Sequence, residues 1–174
     1  MVRVKKFIKK IFTGSKEAGP LVAGLLGQLP EDYMVFSGIL YNHSEIDHVV
    51  FNRQHGLFII NIAAGKGEVT YDGAQLLINR KPRSEVIKKT LKDTFWLKST
   101  IRERMGLDVL VTPIVVFENA KVKVSGPIIG VTVVESGRLM DTVAQTPEKS
   151  HLEDGVVMVL RELHGIHTIN YRSM

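Results

Sequence analysis

Apolar residues recur at helical spacing near the start of the chain. The i, i+3, i+4, i+7 pattern holds at Val4, Phe7, Ile8 and Ile11, and lysines occupy the opposite face. After a break at residues 13–15, a second apolar face runs over residues 20–29, where Pro20 suits a first helical turn. These patterns predict a basic amphipathic leader over residues 1–14 and a helix over about residues 20–29.

The next part of the chain has the pattern of β-strands. We expect strands over residues 33–40, 45–51, 56–62 and 68–71, with a hairpin turn at residues 53–56. The run 57–60 is continuously apolar, which is typical of a strand buried on both faces. Gly65, Lys66 and Gly67 indicate a turn rather than a phosphate-binding loop, because the glycine spacing is wrong and no Ser or Thr follows the lysine.

A long helix is predicted over residues 84–105. Its apolar positions recur at helical spacing, Ser84 can cap its start, and Gly106 stands just past its end. Later apolar runs predict strands over residues 109–117 and 130–135 and a helix over residues 152–164. This order of elements predicts an α/β sandwich with a mixed central sheet flanked by helices.

Composition limits the class of protein. A chain of 174 residues is long enough for one domain, and the absence of cysteine excludes disulfides and thiolate metal sites. No secretory signal or membrane-spanning run is visible, so we expect a cytoplasmic protein. The formal charge is +5, but residues 1–16 contain six basic residues and no acid, so subtracting them leaves −1 for the rest.

Two basic segments are candidates for contact with an anionic partner. The leader lysines can lie on an anionic membrane surface through residues 1–12, or contact nucleic acid. A terminal helix with a solvated lysine face fits the same pattern equally well. Residues 80–104 hold nine basic and three acidic residues, and a solvated helix face is the alternative there too. The candidate contact residues are Lys5, Lys6, Lys9, Lys10, Arg80, Lys81, Lys88 and Lys89.

Two segments carry a resemblance to a known family. The first reads Leu-Val-Ala-Gly-Leu-Leu-Gly-Gln-Leu-Pro over residues 21–30. The second reads Glu-Ile-Asp-His-Val-Val-Phe over 45–51, followed by Gly-Leu-Phe-Ile-Ile over 56–60. Together they resemble the nuclease-related domain (NERD) family, and residues 113–117 and 137–140 fit less specifically. The resemblance implies a restriction-endonuclease-like, three-layer PD-(D/E)XK fold, here as a single domain over residues 15–174.

The family's chemistry uses two strand carboxylates, a lysine two residues after the second, and a glutamate in the first helix. The carboxylates hold a divalent metal ion, and the lysine stabilises developing charge. The resemblance places the first carboxylate at Asp47, but it places Asn61 and Ala63 at the second carboxylate and the lysine. Gly19 falls at the helix glutamate, and Glu85 falls at a later glutamine motif.

Most of the charges needed for cutting a phosphodiester are therefore missing. We expect a non-catalytic module that binds nucleic acid or a protein partner and needs no cofactor. The first alternative is an active nuclease that uses Mg²⁺ or Mn²⁺ in a rebuilt site. That site would draw on Asp47 and the nearby residues Glu17, Glu45, Lys66 and Glu68. The second alternative is a membrane-surface adaptor docked by its leader.

Overall fold

The computed structural model describes residues 19–146 and 154–172. The predicted leader, with Lys5, Lys6, Lys9 and Lys10, lies outside the described residues, as does Glu17. The division at residue 14 therefore stays a prediction. The described residues form four helices and seven strands. In chain order these are α1 (Pro20–Leu26), β1 (Tyr33–Tyr41), β2 (Ser44–Asn52), β3 (Gly56–Tyr71), β4 (Leu76–Ile78), β5 (Lys81–Pro82), α2 (Glu85–Met105), β6 (Val111–Val122), β7 (Thr132–Glu135), α3 (Ser136–Ala144) and α4 (Asp154–Arg172).

All seven strands belong to one mixed, open sheet. β3 is central: its first half pairs antiparallel with β2, and its last residues pair antiparallel with β4. Along its other edge it pairs in parallel with β6, which in turn pairs in parallel with β7. β1 pairs antiparallel with β2, and the short β5 pairs with β4. The predicted mixed sheet and the β2–β3 hairpin are therefore confirmed.

Helices cover both faces of the sheet, which gives three layers. Leu97 and Ile101 of α2 and Leu160 of α4 pack with Ile59 in one buried cluster. On the opposite face, α1 and α3 pack on Phe58 and Ile60 of the same strand. Alternate residues of β3 thus enter different cores, as the continuous apolar run requires. The predicted α/β sandwich of the restriction-endonuclease type is confirmed.

The prediction of a turn at Gly65, Lys66 and Gly67 is wrong. These residues lie inside β3, which continues for 16 residues, so the two predicted strands are one. The register with β6 shifts between Ala63 and Lys66, and both glycines have positive φ, at 146° and 103°. A Cβ atom at Gly67 would lie only 2.1 Å from the side-chain oxygen of Asn79. The glycines therefore allow a bulge and a close approach within the strand.

Several element boundaries also differ from the predictions. α1 ends at Leu26 rather than near residue 29, and the hairpin of β4 and β5 and the helix α3 were not predicted. Ser84 does not cap α2 with its side chain, because its hydroxyl accepts a hydrogen bond from the Leu76 amide at 3.3 Å. Gly106 ends α2 in the left-handed conformation, as predicted.

Candidate functional site

The candidate site lies where β2 and β3 separate. Their ladder ends at the pair His48 and Ile60. Beyond that pair, side chains take the place of backbone groups as hydrogen-bond acceptors. The Asp47 amide donates to the side-chain oxygen of Asn61 at 3.3 Å. In return, the Asp47 carboxylate accepts a hydrogen bond from the Ile62 amide at 2.7 Å. Asp47 and Asn61 therefore close the end of the ladder together.

The remaining hydrogen bonds of Asn61 go to helix α2. Its NH₂ group donates to the Thr90 hydroxyl at 3.0 Å and to the Asp93 carboxylate at 2.7 Å. Only 2% of Asn61 is exposed, because α2 covers it. The position that the sequence resemblance assigns to the second metal-binding carboxylate is thus an amide buried between strand and helix.

A buried carboxylate stands directly behind that amide. Asp93 is 0% exposed, and its second oxygen accepts a short hydrogen bond from the Tyr41 hydroxyl. Lys89, one turn earlier, donates to Asp93 at 2.7 Å and to the backbone carbonyl of Glu45 at 2.6 Å. No buried side-chain nitrogen or oxygen within the described residues lacks a partner, so the network is satisfied internally.

Glu45 is the second carboxylate on β2 near Asp47. Burial and, to a smaller extent, the negative charge of Asp47 raise the pKa of Glu45 to about 7, against the opposing effect of the Lys89 ammonium. A Cβ atom on Gly38 of β1 would lie 3.3 Å from a Glu45 carboxylate oxygen, so the side chain lies closely over that glycine. Asp47, Glu45 and Lys89 are thus brought together.

The other two family positions offer no ligand. Ala63 is 8% exposed and belongs to an apolar cluster that includes Ile87 of α2. Gly19 precedes α1, and its amide donates to the Glu118 carboxylate at 2.8 Å. The other oxygen of Glu118 accepts from the Val22 amide at 2.9 Å, so a side chain from β6 caps the first helix.

The remaining predicted residues lie away from Asp47. Glu68 pairs with Lys123 at 2.6 Å. At ordinary strand rise, Lys66 lies about 17 Å and Glu68 about 23 Å along β3 from Asn61. Glu85 is exposed in the first turn of α2 and pairs with Arg83. The structure therefore does not bring these proposed substitutes to Asp47. The exposed cations Arg80, Lys81 and Lys88 lie on the β4–β5 turn and the outer side of α2.

Comparison with known proteins places this arrangement in a family. The family model described as nuclease-related domain matches residues 15–118, well over half of the chain. This chain belongs to the nuclease-related domain family. No curated protein and no solved structure matches the sequence. The match begins just before α1 and ends at Glu118, so it contains Asp47, Asn61, Ala63 and all of α2.

The donor set of this NERD domain does not fit the divalent ion of the nuclease fold. Asn61 uses both its oxygen and its NH₂ group within the network, and Ala63 has no donor. Asp47 and Glu45 supply carboxylates, but the Lys89 ammonium bonds to the Glu45 carbonyl. Within residues 19–146 and 154–172, no three His, Cys, Asp or Glu residues are placed to hold a metal ion. In the same residues no helix is long and apolar enough to cross a membrane.

Sequence reasoning missed the helix side of the NERD site. Thr90 and Asp93 are buried in α2 together with Ile87 and Leu97. Their positions, three, six and ten residues after Ile87, continue the predicted apolar face, so a polar pair on that face was the available signal. A charged residue on a buried helix face needs a partner, and Asn61 is the partner on β3.

Proposed function

We propose that this NERD domain is a non-catalytic module that binds nucleic acid without cutting it. The observation that supports this most directly is the burial of Asn61 beneath α2, with every polar atom of its side chain bonded inside the domain. A phosphodiester at Asp47 would find neither a carboxylate at position 61 of β3 nor a lysine at position 63.

The chemical deficit is large. Removing one group that stabilises transition-state charge commonly lowers the rate about 10²–10³-fold. Here the carboxylate at Asn61 and the lysine at Ala63 are both missing. Asp47 has a structural task instead, because its carboxylate holds the Ile62 amide where the β2–β3 ladder ends. Retention of that aspartate is thus accounted for without catalysis.

Binding is supported by the exposed cations of the domain. Arg80, Lys81 and Lys88 are exposed and make no ion pair with a described residue. Lysine and arginine that are free to contact phosphates supply most of the affinity of proteins for nucleic acid. The family's nuclease ancestry and this unpaired positive charge both favour a nucleic-acid ligand over an uncharged one.

A plasmid-nicking assay tests the absence of catalysis. Full-length protein with Mg²⁺ or Mn²⁺ should cut supercoiled and single-stranded DNA no faster than the matched variant Asp47→Asn. That variant keeps an acceptor for the Ile62 amide but removes the charge. Metal-dependent cutting by the wild type that Asp47→Asn abolishes would overturn the proposal.

The second candidate is a nuclease with a rebuilt site, favoured by the meeting of Glu45, Asp47 and Lys89. In that case Lys89 would take the part of the missing lysine, and Glu45 the part of the missing carboxylate. Glu45→Gln and Lys89→Met should then each lower the cutting rate as much as Asp47→Asn. If the wild-type protein does not cut DNA, this candidate is rejected.

A further inference from the structure

The outer side of α2 carries an exposed aromatic ring on its most solvent-facing ridge. The buried residues of the helix, Ile87, Thr90, Asp93, Leu97 and Ile101, define its inner side. Positions 88, 92, 95, 99 and 102 lie opposite them at spacings of three and four residues, so they form a single outward ridge. Phe95 is at the centre of that ridge and is 74% exposed.

Phe95 belongs to none of the three hydrophobic clusters that the described residues form. Of the residues of α2, all of which are described, Phe95 is the only large hydrophobic classed as exposed. The adjacent Trp96 packs inward, with its ring stacked on Tyr41 at a centroid distance of 4.1 Å. Phe95 therefore contributes nothing to the core and is available to a ligand.

Unpaired lysines surround this ring. Lys88 and Lys92 lie on the ridge, two turns and about one turn before Phe95, and Lys98 lies on the flank of the ridge three residues after Phe95. All three are exposed, and none makes an ion pair with a described residue. The other cations of α2 are engaged: Lys89 with Asp93, Arg102 with Asp108 and Arg104 with Glu162. The free positive charge of the helix is thus concentrated around the aromatic ring.

We propose that this ridge of α2 binds single-stranded nucleic acid, with Phe95 stacked on a base and Lys88, Lys92 and Lys98 contacting the flanking phosphates. From Lys88 to Lys98 the helix rises about 15 Å, which spans a few nucleotides. An aromatic ring between cations is the combination that single-strand binding uses, because every base offers a face for stacking. This inference rests on the proposed nucleic-acid role and adds the surface and the kind of strand.

The same features disfavour the other polyanions. The bases of a duplex are already stacked on each other, so Phe95 would have no partner there. Binding to a lipid surface requires a broad apolar face that can be buried in the bilayer, whereas this ridge is convex and has a single exposed aromatic ring. Charge complementarity together with a single stacking platform therefore favours an extended strand.

Fluorescence anisotropy with labelled oligothymidine of about 16 nucleotides, in EDTA and with the full chain, tests the proposal. Phe95→Leu keeps an apolar side chain but removes the flat ring, and it should weaken binding about tenfold. Affinity for duplex DNA should not change. The matched control Leu110→Ala alters another exposed hydrophobic residue and should leave single-strand affinity unchanged.

The charge contribution is measured by salt dependence. Lys92→Gln combined with Lys98→Gln should reduce the slope of log K against log salt by about 1.4, at roughly 0.7 for each phosphate contact of a single strand. The same double change at Lys121, near the end of β6, and at Lys123, just past that end, removes equal charge and should not lower the slope. Trp96 is the only tryptophan in the chain, so its fluorescence should change on binding and report contact at α2 itself.

Two outcomes would overturn the proposal. Unchanged single-strand affinity in Phe95→Leu, with no signal from Trp96, would show that the ridge is not the binding surface. Binding to vesicles of phosphatidylserine and phosphatidylcholine that depends on Phe95, without a matching effect on oligothymidine, would assign the ridge to a lipid surface. The binding assay contains EDTA, which prevents metal-dependent cutting. Nuclease activity in the plasmid-nicking assay would therefore reject the proposed non-catalytic function without rejecting this binding surface.

Discussion

Replacing Asp93 by alanine should destabilise the domain more than any single contact of that residue suggests. The change leaves the Tyr41 hydroxyl and the Asn61 NH₂ group without their carboxylate partner in a region closed to water. Each buried donor without a partner costs about 1–3 kcal/mol. Lys89 also loses its partner, but its side chain is 42% exposed and can turn into solvent. We therefore expect a loss of about 3–4 kcal/mol, at the lower side of the range for a broken buried ion pair.

Urea denaturation measures this loss directly. With a slope near 2 kcal/mol per molar urea, the unfolding midpoint of Asp93→Ala should fall by about 1.5–2 M. Asp93→Asn keeps the side-chain volume and one acceptor, so its unfolding midpoint should fall by less than that of Asp93→Ala. Glu103→Ala is the matched control, because Glu103 is an exposed acid on the same helix, and its effect should stay within about 0.5 kcal/mol. A loss below about 1 kcal/mol in Asp93→Ala would refute the view that this network holds α2 to β3.

Two further predictions concern β3 and β2. Ile59 is fully buried between Val49 and Pro113. Ile59→Ala should therefore lower the free energy of unfolding by about 2–5 kcal/mol in the same assay. An unchanged free energy of unfolding would contradict a central position for β3. Glu45 has a pKa raised from its ordinary 4.5 to about 7, so its stabilising contribution is complete below pH 4.5 and is lost as the pH rises toward 7. As the pH rises from 5 to 8, Glu45→Gln should therefore become more stable relative to the wild type. A stability difference that stays constant across that range would contradict the raised pKa of Glu45.

The sequence was sufficient to predict the elements with strong periodicity. The apolar run of β3 and the helical repeat of α2 predict a buried strand and an amphipathic helix, and both are present. The strand boundaries of β1 and β2 follow for the same reason. The bulge at Gly65 and Gly67 was mistaken for a turn, because the local sequence does not reveal that Asn79 of the next hairpin holds this part of β3 in the sheet.

The strand half of the site was predictable, and the helix half was not. The family resemblance points to Asp47, Asn61 and Ala63 by position alone, and the hydrogen bonds between Asp47, Asn61 and Ile62 show that the first two lie together. The bonds from Asn61 to Thr90 and Asp93 join residues about thirty positions apart, and no local pattern encodes that pairing. Asp93 could be recognised only as a misplaced charge on an apolar helix face, which indicates a partner without saying which one.

The cap on α1 has a consequence for the order in which the chain assembles. A helix of seven residues is marginal by itself, and its exposed amides are satisfied by Glu118, almost a hundred positions later. The cap on this helix is therefore complete only when β6 is in place. The same helix covers Phe58 and Ile60 of β3 with Val22 and Leu26. The shortest segment that contains both this helix and its cap runs from Gly19 to Glu118. Glu118 is also the residue at which the family match ends.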